Sequence, residues 1–367
     1  MRKRSLAAKL VLLPCSKIYG GITYMRNKLF DWKVFGEKEF DIPVVCVGNL
    51  AVGGTGKTPH VEYLVDAFRK SRKVAVLSRG YRRSTKGFIM AGATSTPRDI
   101  GDESYQIYHK FHGEVTVAVC EDRVAGITEL LRLDPRLEMI ILDDAFQHRY
   151  VKATVSVVIT EYNHPLSEDH MLPYGHLREP ARGINRADIV IVAKCPTDLK
   201  PLDFRVATND YNLMPAQELY FSHYHYLPLQ PVFPDVATGV PYLDWLNSGD
   251  TILAIAGIGN PRPFIRYLKS LGAKVKVDIF PDHHQYTKKD IAYILERYRK
   301  DVRGNQRIIV TTEKDAVRLA ANPYYPHELK AITYYLPIEV EFDTFGEKLP
   351  IVDEIEKRIK ERLNSRN

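Results

Sequence analysis

Apolar residues along this chain change their spacing in a regular order. Val44-Val45-Cys46-Val47 is a short β-branched run, and the next apolar positions, Val61, Leu64, Val65 and Phe68, fall at i, i+3, i+4 and i+7. The first pattern suits a strand buried on both faces, the second one face of a helix. Further strands are predicted at 73–77, 115–119, 139–142, 156–159 and 189–192, with a helical face at Val124, Ile127 and Leu131. Short buried strands alternating with helices predict an α/β fold with a parallel, doubly wound sheet and ligands at the carboxyl ends of its strands. Residues 200–250 break the pattern. Tyr, Pro and His become frequent there, the stretch around 221–228 is strand-like, and no clear helix shows, so it reads as a crossing region. A second, smaller α/β unit is predicted from Thr251. Its strands lie at 251–256, 275–277 and 308–310, and its helical faces carry Phe264, Leu268 and Leu271, then Ile291, Ile294, Leu295 and Tyr298. The chain closes in an amphipathic helix bearing Val352, Ile355, Ile359 and Leu363.

The 367 residues are 45% hydrophobic and 26% charged, which suits a soluble globular chain with room for two domains. Cysteines at 15, 46, 120 and 195 have neither metal-site nor disulfide spacing and fit a reducing compartment. A formal charge of +7 favours an anionic partner. No basic–aromatic interleaving of the kind used to stack bases is present, so nucleic acid is not expected. Much of the basic excess sits at the N-terminus, where Arg2, Lys3, Arg4, Lys9, Lys17, Arg26 and Lys28 alternate with Leu, Val, Ile and Tyr, followed by Trp32. Lys9 and Lys17 interrupt the apolar run well short of the roughly 20 residues a membrane span needs. Two readings stand: a segment lying on an anionic membrane surface, or an amphipathic helix packed on its own domain.

The chemistry begins where the first strand ends. Asn49-Leu50-Ala51-Val52-Gly53-Gly54-Thr55-Gly56-Lys57-Thr58 places a glycine-rich turn between strand and helix. In P-loop proteins the backbone N–H groups of such a turn, here Gly53, Gly54, Thr55 and Gly56, cradle phosphate, Lys57 adds charge and the Thr58 hydroxyl reaches Mg²⁺. Ala51 stands where the common pattern has glycine. Asp143 and Asp144 close the apolar run at 139–142, the usual place for an acid that holds Mg²⁺ or its water shell, although acids there also cap turns. Gln147 and His148 follow closely enough to line the same cleft. Asp102 and Glu103 open a helical pattern, where acids are common caps. His283 belongs to the second unit; were it to meet Asp102, the pair would suit acceptance of a hydroxyl proton. Arg79, Arg82 and Arg83, and Arg178, Arg182 and Arg186, suit phosphate neutralisation or simple solvation. A base-reading N/T-K-x-D motif is expected in a GTPase. The nearest stretch, Ala193-Lys194-Cys195-Pro196, has proline in place of the acid, so ATP is the expected nucleotide.

Taken together these segments resemble the tetraacyldisaccharide 4′-kinase family of lipid A synthesis. The resemblance rests on Val47-Gly48-Asn49-Leu50, the P-loop through Pro59, Leu77-Ser78-Arg79-Gly80-Tyr81 and Gly101-Asp102-Glu103. It continues through Leu142-Asp143-Asp144-Ala145-Phe146-Gln147-His148, residues 172–180, 256–261 and 280–284, and Thr311-Thr312-Glu313-Lys314-Asp315. The family shares the P-loop without its first glycine, so Ala51 counts toward the match, whereas Arg82, Ser104 and Ala145 depart from it. The resemblance implies transfer of the ATP γ-phosphate to the 4′-hydroxyl of an acylated glucosamine disaccharide 1-phosphate, with Mg²⁺, at the cytoplasmic face of the bacterial inner membrane. It implies Asp102 as catalytic base with His283 its partner, Lys57 and Thr58 on the ATP phosphates and Mg²⁺, and Asp143 and Asp144 at the metal. It also implies a P-loop NTPase-like domain and a second α/β domain joined by a β-ribbon. The expected layout is a membrane-associating segment at 1–35, a P-loop domain at 36–205, a linker at 206–250, the second domain at 251–345 and a terminal helix at 346–367. The competing function is a P-loop regulatory ATPase at the membrane surface.

Overall fold

The computed structural model describes residues 6–237, 239, 243, 246–304, 307–343 and 348–365. Arg2, Lys3 and Arg4, and the side chain of Lys9, lie outside that description. Helix α1 (Leu6–Asp31) precedes strand β1 (Val44–Gly48) and helix α2 (Lys57–Phe68). There follow β2 (Val74–Ser78), β3 (Ile89–Met90), α3 (Pro97–Ile100), α4 (Asp102–Lys110), β4 (Thr116–Val119), α5 (Arg123–Leu133), β5 (Met139–Asp143), β6 (Val155–Glu161) and β7 (Ile189–Ala193). Helix α6 (Pro201–Tyr211) and β8 (Glu218–Tyr226) complete this part. The strands line up as β14-β8-β7-β6-β1-β5-β2-β4-β3, where β14 (Ile338–Phe342) arrives from near the C-terminus. All neighbours run parallel except the two edges, β3 and β14.

Side-chain alternation along β1 explains the continuous apolar run. Val44 and Cys46 enter a core under α5 and α6, whereas Val45 and Val47 enter the core that Val61, Leu64, Val65 and Phe68 of α2 fill from the other side. A strand covered on both faces has no position for a polar residue. Helix α11 (Ile351–Asn364) returns to this second face and inserts Ile351, Ile355 and Ile359, pinned at its flank by the Arg72–Glu356 ion pair at 2.6 Å.

Between β8 and β14 the chain builds a second sheet, ordered β11-β10-β12-β13-β9. Its elements are β9 (Gln230–Pro231), β10 (Thr251–Ala256), α7 (Arg262–Ser270), β11 (Lys274–Ile279), α8 (Lys288–Asp301), β12 (Arg307–Thr312), α9 (Glu313–Ala320), α10 (His327–Lys330) and β13 (Thr333–Leu336). The chain leaves the first sheet along β8 and re-enters along β14, and these two pair antiparallel from Ile338 opposite Tyr226 to Phe342 opposite Ser222.

Helix α6 stands in the region where the sequence showed no clear helix. Helix α6 starts with Pro201 in its first turn, Asp203 accepts the Lys200 backbone N–H at 2.9 Å, and Phe204 is buried in the first core. Its apolar contacts are few and its exposed positions include Leu202 and Val206, which blurs the 3.6-residue pattern.

Helix α1 packs on the body of the protein, the second of the two readings of the N-terminus, and leaves an apolar face uncovered. Its inner face is bonded to the body of the protein: Ser16 to the Met171 carbonyl at 2.7 Å, Tyr19 to the Arg178 carbonyl at 3.0 Å and Asn27 to Glu179 at 2.9 Å. Leu10, Val11, Ile18, Ile22 and Met25 share the opposite face and are exposed, Ile18 to 65%. No described helix is long and apolar enough to cross a membrane.

Candidate active site

The P-loop is shaped by two left-handed glycines, Gly53 (φ 115°) and Gly56 (φ 96°). At Gly56 a side chain is excluded twice over, by that φ and by the Tyr224 hydroxyl, which would lie 2.1 Å from an added Cβ. Around Gly53 and Gly54 an added Cβ would meet nothing within 4 Å, which leaves an open concavity over the loop. Asn49 braces the turn from below through the Ala51 carbonyl (2.6 Å) and the Thr55 hydroxyl (2.8 Å). Thr58 is buried in the first turn of α2.

Strand β5 delivers the two acids beside this loop. Asp144, with φ 50°, sits 3.5 Å from Lys57 Nζ and accepts Arg178 Nη1 at 2.8 Å. Burial raises its carboxyl, but Lys57 and Arg178 outweigh burial and hold it below the ordinary range. Asp143 is different. It is buried, Glu103 and Asp144 crowd it with like charge, and its carboxyl is pushed up to about 7. Its Oδ1 is buried without a hydrogen-bond partner. A buried, unmatched carboxylate oxygen between a phosphate loop and a second acid suits a hard, oxygen-seeking cation.

Helix α4 begins near enough to the loop for the Lys57 charge to act on Glu103. Gly101 (φ 85°) makes the break between α3 and α4 that brings Asp102 to the helix start, and an added Cβ there would press the Tyr81 carbonyl at 3.0 Å. His283 Nδ1 lies 3.2 Å from Asp102 Oδ2, so two residues 181 positions apart do meet. Arg318 joins them, donating from Nε to the same oxygen at 2.9 Å. Burial raises the Asp102 carboxyl, and the His283 hydrogen bond and the Arg318 charge bring it below its ordinary value. Among the described residues these contacts all fall on Oδ2.

Sequence reasoning missed Arg318, Asp315 and Lys314 as site residues. Arg318 is held by fully buried Asp315 (2.9 Å), which also accepts the Gly257 N–H (2.8 Å), the Thr312 hydroxyl (2.7 Å) and the Tyr286 hydroxyl (3.1 Å). An added Cβ at Gly257 would sit 2.9 Å from that carboxylate, which accounts for the glycine after β10. Lys314 reaches Glu103 at 2.7 Å, and Lys110 bridges Glu62 (2.6 Å) and Glu313 (3.3 Å). The only prior signal was the segment Thr311–Asp315, quoted as a motif without a role.

The remaining candidates divide. Gln147 donates to the Asn49 carbonyl (2.7 Å) and to Glu179 (2.9 Å), and so ties β5 to the segment that carries Arg178. His148 is half-buried and its Nδ1 has no partner; burial and the Arg123 charge lower its proton affinity. Arg79 is exposed and makes no ion pair among the described residues. A cavity of about 210 Å³ lies under α1, lined among others by Tyr24, Lys28, Arg149, Arg182 and Arg186.

Comparison with known proteins gives the chain's family. Residues 8–355 match the family model described as LpxK, tetraacyldisaccharide-1-P 4′-kinase. A tetraacyldisaccharide 4′-kinase from Bacteroides fragilis is 50% identical over 343 residues, which is 93% of this chain and 91% of the relative. One from Porphyromonas gingivalis is 45% identical, covering 94% and 95% of the two chains. Among solved structures, LpxK from Aquifex aeolicus in complex with ATP superimposes with a TM-score of 0.71 at 29% identity, over 96% of this chain and 98% of that one.

Proposed function

The chain belongs to the tetraacyldisaccharide-1-P 4′-kinase family, and from that premise we propose how its residues carry the reaction. As an ATP-dependent kinase of lipid A biosynthesis it moves the γ-phosphoryl group of ATP to the 4′-hydroxyl of a tetraacyldisaccharide 1-phosphate. The observation that carries the assignment of roles is the junction at Asp102, where His283 and Arg318 of the second unit meet an acid at the start of α4 in the first.

The backbone N–H groups of residues 53–56 and the Lys57 ammonium bind the phosphates of ATP. Arg178 and Lys57 both rest on Asp144 and are placed to share their charge with a phosphate alongside. Thr58, Asp143 and Asp144 would hold Mg²⁺, a choice supported by the unpartnered Asp143 oxygen. When bound, Mg²⁺ neutralises charge developing on the β- and γ-phosphates. The 4′-oxygen forms its bond to phosphorus as the bond to the β–γ bridging oxygen breaks, and ADP leaves. The hydroxyl proton passes to Asp102 Oδ1, the oxygen that His283 and Arg318 leave open. A carboxyl held below its ordinary range is a weak base. That suffices, because in a loose phosphoryl-transfer transition state the nucleophile needs orientation more than early deprotonation. His283 and Arg318 fix that orientation, and His283 is itself held at φ 57°, a strained backbone of the kind found at functional sites.

Asn27 of α1, Glu179 and Gln147, which are linked by hydrogen bonds, and neighbouring His148 are our candidates for gripping the disaccharide. Arg79, exposed, is a candidate for its phosphate. The outward apolar face of α1 rests on an anionic membrane surface, peripheral and on the side that supplies ATP. Purified protein given Mg-ATP and tetraacyldisaccharide 1-phosphate should yield lipid heavier by one phosphoryl group, and Asp102→Ala should abolish most of that gain while still binding ATP. Consumption of ATP with no heavier lipid would return the protein to the regulatory-ATPase reading, and a fully active Asp102→Ala would remove Asp102 as base.

A further inference from the structure

Lys194 is the residue the reaction leaves unused. It ends β7 with its backbone at φ 60°, a left-handed conformation that lysine rarely adopts. Its ammonium reaches across to the Gly54 carbonyl of the P-loop and pairs with Glu161, at the end of β6, at 3.2 Å. Both side chains are largely buried, Lys194 to 16% exposure and Glu161 to 15%.

The strand order says which end of a nucleotide this is. Asp143 and Asp144 end β5, on one side of β1, whereas Glu161 and Lys194 end β6 and β7, on the other. The reacting γ-phosphate belongs beside the acids, so the triphosphate runs over the P-loop and the nucleoside emerges toward β6 and β7. Strand β7 lies two strands from β1, about 10 Å away, the distance from the α-phosphate to a purine ring. We propose that the Lys194 side chain is the wall of the base subsite: its methylene stem lies against one face of the purine, while the Gly54 carbonyl and Glu161 hold its ammonium aside. A lysine whose charge is tied at both ends presents its apolar stem. Position 196, where a carboxylate would have to stand to read the guanine edge, is Pro196. Lys194 therefore recognises the face of a purine and does not choose between adenine and guanine.

This rests on the P-loop assignment above, and calorimetric titration without lipid separates the two. Lys194→Ala should weaken ATP and GTP binding alike, by about tenfold for the apolar area lost, and leave inorganic tripolyphosphate within about twofold. Lys194→Met, which keeps the stem and discards the charge, should restore ATP to within about threefold of the natural protein. Equal weakening of tripolyphosphate would make Lys194 a phosphate ligand and overturn the proposal, as would unchanged ATP binding in Lys194→Ala. If the natural protein binds neither ATP nor tripolyphosphate, the P-loop assignment itself fails.

Discussion

Asp102 and Asp143 are both buried acids, yet their neighbours send them in opposite directions. The His283 hydrogen bond and the Arg318 charge keep Asp102 ionised, whereas burial and then the like charges of Glu103 and Asp144 push Asp143 toward neutrality. His60 shows the same logic in a neutral group. Its Nδ1 faces the Gly56 carbonyl at 2.7 Å, which can only accept, so Nδ1 carries the proton and Nε2 accepts from Ser222 at 2.8 Å. Burial drops its pKa from 6.5 to about 4. Between those values the unfolded chain binds a proton that the folded one refuses, so stability falls as pH drops through the window, by up to about 3 kcal/mol. His60→Gln should flatten the urea midpoint between pH 7 and pH 4.5 relative to the natural protein; parallel profiles would show that His60 is not the group responsible. The phosphate loop was legible in the sequence because a strand, a glycine turn and a helix follow one another locally. Arg318 was not, because it is placed by Asp315 within a network closed only after the second unit folds, 216 positions from the acid it serves.

At the scale of elements, local rules were readable where burial is two-sided. Strands β1, β5 and β7 appear as unbroken apolar runs, and α2 shows its full helical face. Helix α6 was lost for the opposite reason, since a lightly buried helix between prolines writes little periodicity. Helix α1 inverts the usual arrangement over most of its length: Ser16, Tyr19 and Asn27 face the protein and Leu10, Val11, Ile18, Ile22 and Met25 face outward, with Phe30 buried at its end. That inversion argues for a lipid surface, since isoleucines in water gain nothing and each buried one is worth about 1.5–3 kcal/mol. Replacing Ile18 and Ile22 together by serine should lower partition onto anionic liposomes at least tenfold by the same scale. The polar inner contacts of Ser16, Tyr19 and Asn27 are untouched by those changes, so the helix should stay docked. Unchanged partition would leave docking as the whole role of α1.

For the molecule as a whole, two sheets share one centre. Asp102, Glu103 and Glu62 of the first unit are matched by His283, Arg318, Lys314 and Glu313 of the second, with Lys110 between Glu62 and Glu313. On the roles proposed above, the groups for phosphoryl transfer are divided between the two units, which no reading of either half alone reveals. The antiparallel register of β8 and β14 has a consequence for how such a chain can be taken apart. Tyr226 and Ile338 stand opposite each other, so all 111 intervening residues, 227–337, leave and return through one seam the width of a hairpin. The second unit is a cartridge, and an Asn-Gly turn is the right length to close the seam behind it. With residues 227–337 so replaced, the chain should keep one cooperative thermal transition and bind tripolyphosphate, yet transfer no phosphate, because His283, Lys314 and Arg318 leave with the cartridge. Loss of cooperative unfolding would mean that the two sheets fold as one. Retention would make the seam a place where another unit can be spliced onto the same phosphate-binding sheet.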